Sequence, residues 1–268
     1  MELDSFSPVV LAIGGHDPIG GAGIQADIES VAANGCFCAT ALTCLTVQDS
    51  CGMESLMPLP PMQMVSQAEC IIEEYPVAVI KIGLIGEAAM VDALVYLLQQ
   101  QHNIPVILDP VLATGMGDNF ANEKLIEAIR DKLLPLCTLV TPNSLEARRL
   151  SGIDGNLEAC AYKLIDFGVK NVLITGAHER SEGVVNKLYD AVGLLNEASW
   201  ERLPGEYHGS GCTLASAIAA WMARGHPLHE AVNQAQEYTW LTLAHAHDLG
   251  RCQSLPNRFF QQMTDKRR

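Results

Sequence analysis

The chain has 268 residues, 49% of them hydrophobic and 18% charged, with a net charge of -14 and a pI near 4.9. That composition can bury a large core, and its acidic balance excludes the basic face that a nucleic-acid binder needs. The nine cysteines include no CxxC pair and mostly sit in apolar runs such as "ALTCLTV" and "AECII", which predicts free thiols without disulfide or metal roles.

In chain order, "VVLAIGG" from Val9 predicts a strand, followed by a helix from Ile24 to Asn34. A strand from Ala39 ("ATALTCLTVQ") precedes a helix from Met62 to Glu74, and "VAVIKIG" from Val77 precedes one from Ala88 to His102. "IPVILDPV" from Ile104 is followed by a helix from Ala121 to Lys132, and "LVTPN" from Leu139 by one from Ser144 to Leu150. A helix from Glu158 to Phe167 leads to a strand "NVLITGA" from Asn171. "NKLYDAVGLLNEASWERLP" then reads as a hairpin at a sheet edge, and helices from Thr213 to Arg224 and Leu228 to His245 follow. Nearly solid apolar strands alternating with helices predict an α/β fold with a mostly parallel sheet covered on both faces. No repeat, linker or composition break divides residues 1–268, so one domain is expected. "MELDSFSPVV" has no signal-peptide layout, and charge or glycine breaks every apolar run before membrane-spanning length. A cytoplasmic protein with no membrane partner is expected, and the basic end "DKRR" reads as a solvated fringe.

Ligands of open parallel sheets bind beyond the carboxyl ends of the strands. Those ends here are "GGHDPIGGAG", "TVQDS", "KIGLIG", "DPV", "TPNSLE" and "TGAH", and polar or glycine residues gather at each. "GAGIQA" from Gly21 matches a dinucleotide fingerprint in letters, but too many residues separate it from the strand end near Ile13. No GxxxxGK[ST] occurs, which excludes a P-loop. "GSGCT", Gly209 to Thr213, joins a glycine turn to an alanine-rich helix, where free amides and the helix dipole suit an anion. A plain glycine turn is the alternative. Asp109 ends a strand before Pro110, while Asn143 and Glu146 share the first turn of a helix. The latter pair suits either a hydrated Mg²⁺ or a capping box, and the spacing leaves both open.

"GHDPIGGAGIQAD", "LTVQD", "KIG", "LDPV", "TPNSLEA" and "HGSGCTLASAIAA" occur in this order from about Val9 to Ala246. Together they resemble the hydroxymethylpyrimidine/phosphomethylpyrimidine kinases of thiamine biosynthesis, in the ribokinase-like superfamily. The resemblance implies a three-layer α/β/α sandwich, a homodimer, and ATP- and Mg²⁺-dependent phosphorylation of 4-amino-5-hydroxymethyl-2-methylpyrimidine, then of its monophosphate. It implies a pyrimidine pocket from Gly15, Asp17, Gln48, Gly83, Leu84 and Val111. ATP or phosphate falls to Asp109, Asn143, Thr175, Gly209 and Gly211, and the metal to Asp109 and Glu146. Gly209, Ser210, Gly211 and Cys212 become the catalytic anion hole. Cys212, at a helix N-terminus, is expected to have a pKa lowered toward neutrality and to act as base. Asp27 reads as a helix and loop stabiliser. His16 stands where many relatives have serine, and Thr175 where many have lysine; Lys81 either replaces that charge or points to solvent. Pyridoxal kinase activity and a non-catalytic precursor sensor are the competing readings.

Overall fold

A computed structural model describes residues 7–113 and 121–264. The beginning of "MELDSFSPVV" and the "DKRR" end lie outside the described residues. The elements follow the order read from the sequence. They are β1 (Val9–His16), α1 (Gly23–Ala33), β2 (Phe37–Asp49), β3 (Gly52–Pro58), α2 (Pro61–Glu74), β4 (Val77–Ile82), α3 (Ala88–Leu98), β5 (Val106–Leu108) and α4 (Glu123–Ala128). Then come β6 (Leu139–Val140), α5 (Ser144–Ser151), α6 (Leu157–Asp166), β7 (Asn171–Ile174), β8 (Gly183–Tyr189), β9 (Leu194–Glu201), α7 (Ser210–Ala223), α8 (Leu228–Ala244) and α9 (Phe260–Thr264). The expected Ala121–Lys132 helix is shorter as α-helix. A π turn over Ile129–Leu133 and a 3₁₀ turn carrying Pro135 complete it, because proline supplies no amide to continue the ladder.

The strands form one nine-stranded sheet in the order β3-β2-β1-β4-β5-β6-β7-β8-β9. The strands from β2 through β7 in that order run parallel, while β3, β8 and β9 pair antiparallel. Strand β3 and the short α9 are the elements the sequence reading missed; "GMESLMP" alternates weakly and three of its seven residues are exposed. Adjacent residues of each central strand serve opposite cores. Val10, Val79, Ile107 and Leu139 pack with α7 and α8. Leu11, Ile80, Leu108 and Val140 pack with the helices of the other face. Burial on both sides explains the solid apolar strands and gives the expected three layers.

Two cysteines depart from the free-thiol expectation. Cys51, at the β2–β3 turn, is disulfide-bonded to Cys252, at a sequence separation of 201. Local spacing carries no trace of this pair, because only the fold brings the hairpin tip to the segment after α8. The other seven cysteines are free.

Candidate functional site

The strand order reverses direction between β1, which leads to β2 on one side, and β4 on the other. Such a switch point opens a crevice at the strand ends. Gly15 and Gly83 lie at its floor, both buried. A side chain at Gly15 would come within 2.8 Å of Cys44 Sγ and 2.9 Å of Leu84, so any larger residue there would displace those two side chains. Val111 and Leu84 border the crevice half-buried. Gln48 Nε2 donates to Thr46 Oγ1 (2.9 Å), and that hydroxyl donates to the carbonyl of His16 (2.8 Å). The amide expected to read the pyrimidine edge is thereby tied to the end of β1. A groove of about 410 Å³ lines the outside of this hairpin and shares only Gln48 with the crevice.

Asp17 holds the loop that follows. Its carboxylate accepts from the amides of Ile19 (3.0 Å) and Ala22 (2.7 Å) and lies 2.9 Å from His208 Nε2. Burial works to raise its pKa, but His208 and the two amides outweigh burial and hold it below the ordinary value. His208 directly precedes Gly209, so the first glycine loop and the second are joined here. Gly209 has φ 80° and packs its Cα against the Gly21 carbonyl, where a side chain would collide with backbone.

Helix α7 starts at Ser210, earlier than the expected Thr213, and no side chain caps its N-terminus. Its first amides are therefore available to an anion, and Gly211 at this end is exposed. A side chain at Gly211 would lie 3.7 Å from Asp109 Oδ1, which puts the end of β5 beside the anion hole.

Beneath the hole lies a buried charged centre. Lys81 is wholly buried and its Nζ donates to Asp27 Oδ1 at 2.7 Å, which corrects the solvent-facing alternative. Ser216 of α7 donates to the same oxygen at 2.6 Å. Asp27 is thus a centre of charge pairing as well as a helix stabiliser. Burial disfavours the lysine charge, yet Asp27, Cys212 and Asp109 outweigh it and hold the ammonium above its ordinary pKa. Burial pushes the Asp109 carboxyl up, against the pull of Lys81 and Cys212. Cys212 contradicts its expectation. Burial, then the charge of Asp109, pushes the thiol well above its ordinary value, against the pull of Lys81. Desolvation wins over the helix terminus, so the sulfur holds its proton.

Asn143 and Glu146 do form a capping box. Asn143 Oδ1 accepts from the amides of Leu145 (2.9 Å) and Glu146 (3.0 Å), and Glu146 Oε2 accepts from the Asn143 amide (2.9 Å). The cap does not exhaust Glu146. Burial and the neighbouring Asp109 push its carboxyl up to about 8. Two mutually repelling carboxylates, with Asp109 Oδ2 buried and unpartnered, fit a cation between them. Among the described residues no group of three or more His, Cys, Asp or Glu is placed to hold a metal ion. Thr175 meets this group through its backbone. Its carbonyl accepts from Ser144 (3.1 Å) and its amide donates to Pro142 (3.0 Å), while its side chain is half-buried.

Sequence reading missed Ser216 and the pairing of His208 with Asp17, which depend on contacts across the fold. It also missed Arg258, which is buried against the first glycine loop and against Thr213 at the end of the second. No local pattern in "SLPNRFF" announces it.

A mostly parallel sheet covered on both faces, with an uncapped helix end over buried charges at its switch point, is an architecture of the ribokinase-like class. The chain of the Bacillus subtilis pyridoxal kinase in its ADP complex superposes with a TM-score of 0.87 at 26% identity, covering 96% of this chain and 100% of that one. The phosphomethylpyrimidine kinase family model matches residues 17–257, and the chain belongs to that family. A hydroxymethylpyrimidine/phosphomethylpyrimidine kinase of Streptomyces coelicolor is 34% identical over 254 residues, covering 91% of each chain. A thiamine biosynthesis bifunctional protein of Geobacter sulfurreducens is 35% identical over 246 residues, or 90% of this chain and 50% of that one. The chain thus spans about half the length of that relative. No helix among the described residues is long and apolar enough to cross a membrane.

Proposed function

We propose that this chain transfers a phosphoryl group from ATP to the hydroxymethyl oxygen of 4-amino-5-hydroxymethyl-2-methylpyrimidine, and then to the phosphate of the product. The observation that carries this reading is the uncapped N-terminus of α7 beside Asp109, with Lys81 buried below. The crevice between Gln48, Gly15, Leu84 and Val111 takes the flat ring, and the Gln48 amide supplies one donor and one acceptor to its edge. The amides of Ser210, Gly211 and Cys212 bind the transferred group and stabilise charge that grows on it. Cys212, buried beside Asp109, would receive the acceptor's proton as its own thiol proton moves to Asp109, whose charged form Cys212 already favours. That relay needs no thiolate in the resting enzyme. Glu146, with Asp109 until it takes the proton, would hold Mg²⁺, which would supply charge neutralisation to the phosphates of the nucleotide. Asn143 and Thr175 place that helix end beside the phosphates. A homodimer belongs to this reading too, covering the exposed Met57 of the edge strand β3 with Val47 of β2 and Met62 of α2.

The test incubates the protein with ATP, Mg²⁺ and one of three acceptors: the pyrimidine alcohol, its monophosphate, or pyridoxal. Mass spectrometry reads the products. Phosphorylated pyrimidine with little pyridoxal phosphate is expected. The pyridoxal kinase neighbour makes pyridoxal the second reading, and it prevails if pyridoxal turns over faster. No ADP with any acceptor removes both.

A further inference from the structure

We infer that Arg258 is a positioning residue that locks the substrate loop and the anion hole into one register. This inference rests on the kinase reading and names a part of its machinery that lies outside both loops. Arg258 follows α8 and is 2% exposed. Its guanidinium uses four of five N–H donors on three separate elements. Nη1 donates to the Gly20 carbonyl (3.1 Å) and to Glu29 Oε2 of α1 (3.0 Å), and Nη2 donates to the Gly21 carbonyl (2.5 Å). Nε donates to Thr213 Oγ1 (3.0 Å), whose hydroxyl donates onward to the Gly209 carbonyl (2.9 Å). One planar fork therefore reaches the backbone of the first glycine loop and, through Thr213, the backbone of the anion hole.

The surrounding geometry has the same purpose. The two loops already touch, with Gly209 against the Gly21 carbonyl and Gly21 against the His208 ring. A glycine loop has few intrinsic constraints, so its register needs an outside hold. The segment that carries Arg258 supplies further ties. Ser254 accepts from the His208 amide (3.0 Å), and Tyr238 donates to the Arg258 carbonyl (3.0 Å). The first loop borders the acceptor and the second binds the phosphoryl group, so their separation sets the distance over which transfer occurs. A displacement of about 1 Å costs on the order of 10²-fold in rate. When the loops slip, water replaces the hydroxymethyl oxygen as acceptor and ATP goes to ADP and inorganic phosphate.

Arg258→Met, Arg258→Lys and Glu29→Gln test this. ADP and phosphorylated pyrimidine are measured together, with circular dichroism to confirm folding. For Arg258→Met the kcat falls on the order of 10²-fold, and the ratio of ADP to phosphorylated product rises at least about threefold above wild type. Arg258→Lys keeps the charge but has no fork, so it also uncouples while folding more readily. Glu29→Gln leaves both loop contacts in place and keeps the wild-type ratio. Wild-type ratio and kcat in both Arg258 variants overturn the proposal, and Arg258→Lys decides if Arg258→Met does not fold. A wild-type protein that phosphorylates no pyrimidine fails the kinase reading instead. Amide hydrogen exchange then decides the clamp alone. Exchange accelerated together in residues 20–23 and 210–213 of Arg258→Lys supports it, and acceleration confined to the C-terminal segment overturns it.

Discussion

Lys81 and Asp27 are 2.7 Å apart with neither side chain exposed, and this pair lies under the helix end that would bind the transferred phosphate. A buried ion pair is a poor source of stability against an apolar replacement, but removing one partner leaves the other charged and unpaired. Asp27→Asn is therefore expected to cost about 3–5 kcal/mol, a fall of roughly 10 °C in melting temperature for a chain of this size. The double variant Asp27→Leu with Lys81→Met regains most of that stability and none of the activity. Calorimetry and turnover are measured side by side. Activity kept by the double variant would reduce the pair to scaffolding.

Cys212 gives the second prediction. Burial and Asp109 keep its thiol protonated, so iodoacetamide at neutral pH leaves it unmodified in the folded protein. Exposed Cys70 reacts and serves as the internal standard in the peptide mass spectrum. Cys212→Ala lowers kcat on the order of 10²-fold or more and changes the KM for ATP little, since the loss falls on proton transfer. Rapid alkylation of Cys212 would restore the thiolate base, and unchanged kcat would leave it a lining residue.

What the residues disclosed in advance follows from the range of each interaction. The strand-helix alternation was legible because burial on both sheet faces writes a solid apolar run into every central strand. The glycine loops and the Asn143–Glu146 turn were legible because capping and tight turns are local chemistry. Lys81 was not, since its partner Asp27 lies 54 residues away and a lysine at a strand end looks alike paired or solvated. The sign of the Cys212 shift was hidden for a related reason. A helix N-terminus is visible in sequence, whereas the desolvation that overrides it belongs to the packed state. Arg258 and the Cys51–Cys252 bond join segments more than 200 residues apart, beyond any spacing rule.

The Glu146 carboxyl predicts a specific pH dependence. Folding raises its pKa from 4.5 to about 8, so between those values the folded state binds more protons than the unfolded one. Stability then falls as pH rises through that window, by up to about 1.4 kcal/mol per pH unit. Gln at the same position still accepts from the Asn143 amide and keeps the capping box. Urea midpoints in metal-free buffer at pH 5.5, 6.5 and 7.5 (each within roughly that window) should fall for wild type more than for Glu146→Gln. Mg²⁺ added at the highest pH stabilises wild type by mass action and the variant far less. Parallel slopes for the two proteins would deny Glu146 its raised pKa.

The Cys51–Cys252 bond ties the hairpin that carries Gln48 to the segment that carries Arg258, with Arg251 Nη2 also donating to Asp49 (3.1 Å). Denatured protein is expected to titrate seven thiols before reduction and nine after it. A crosslink across so long a loop restricts the unfolded chain, so its loss costs about 2–5 kcal/mol, or roughly 10 °C in melting temperature. Cys252→Ser also frees the hairpin tip three residues from Gln48, which raises the KM for the pyrimidine more than the KM for ATP. The asymmetry arises because the phosphate side keeps a tie that does not run through the hairpin, Thr213 Oγ1 to the Gly209 carbonyl within the first turn of α7. Nine reactive thiols without reductant would remove the bond, and an equal rise in both KM values would show that the hairpin and the anion hole move as one body.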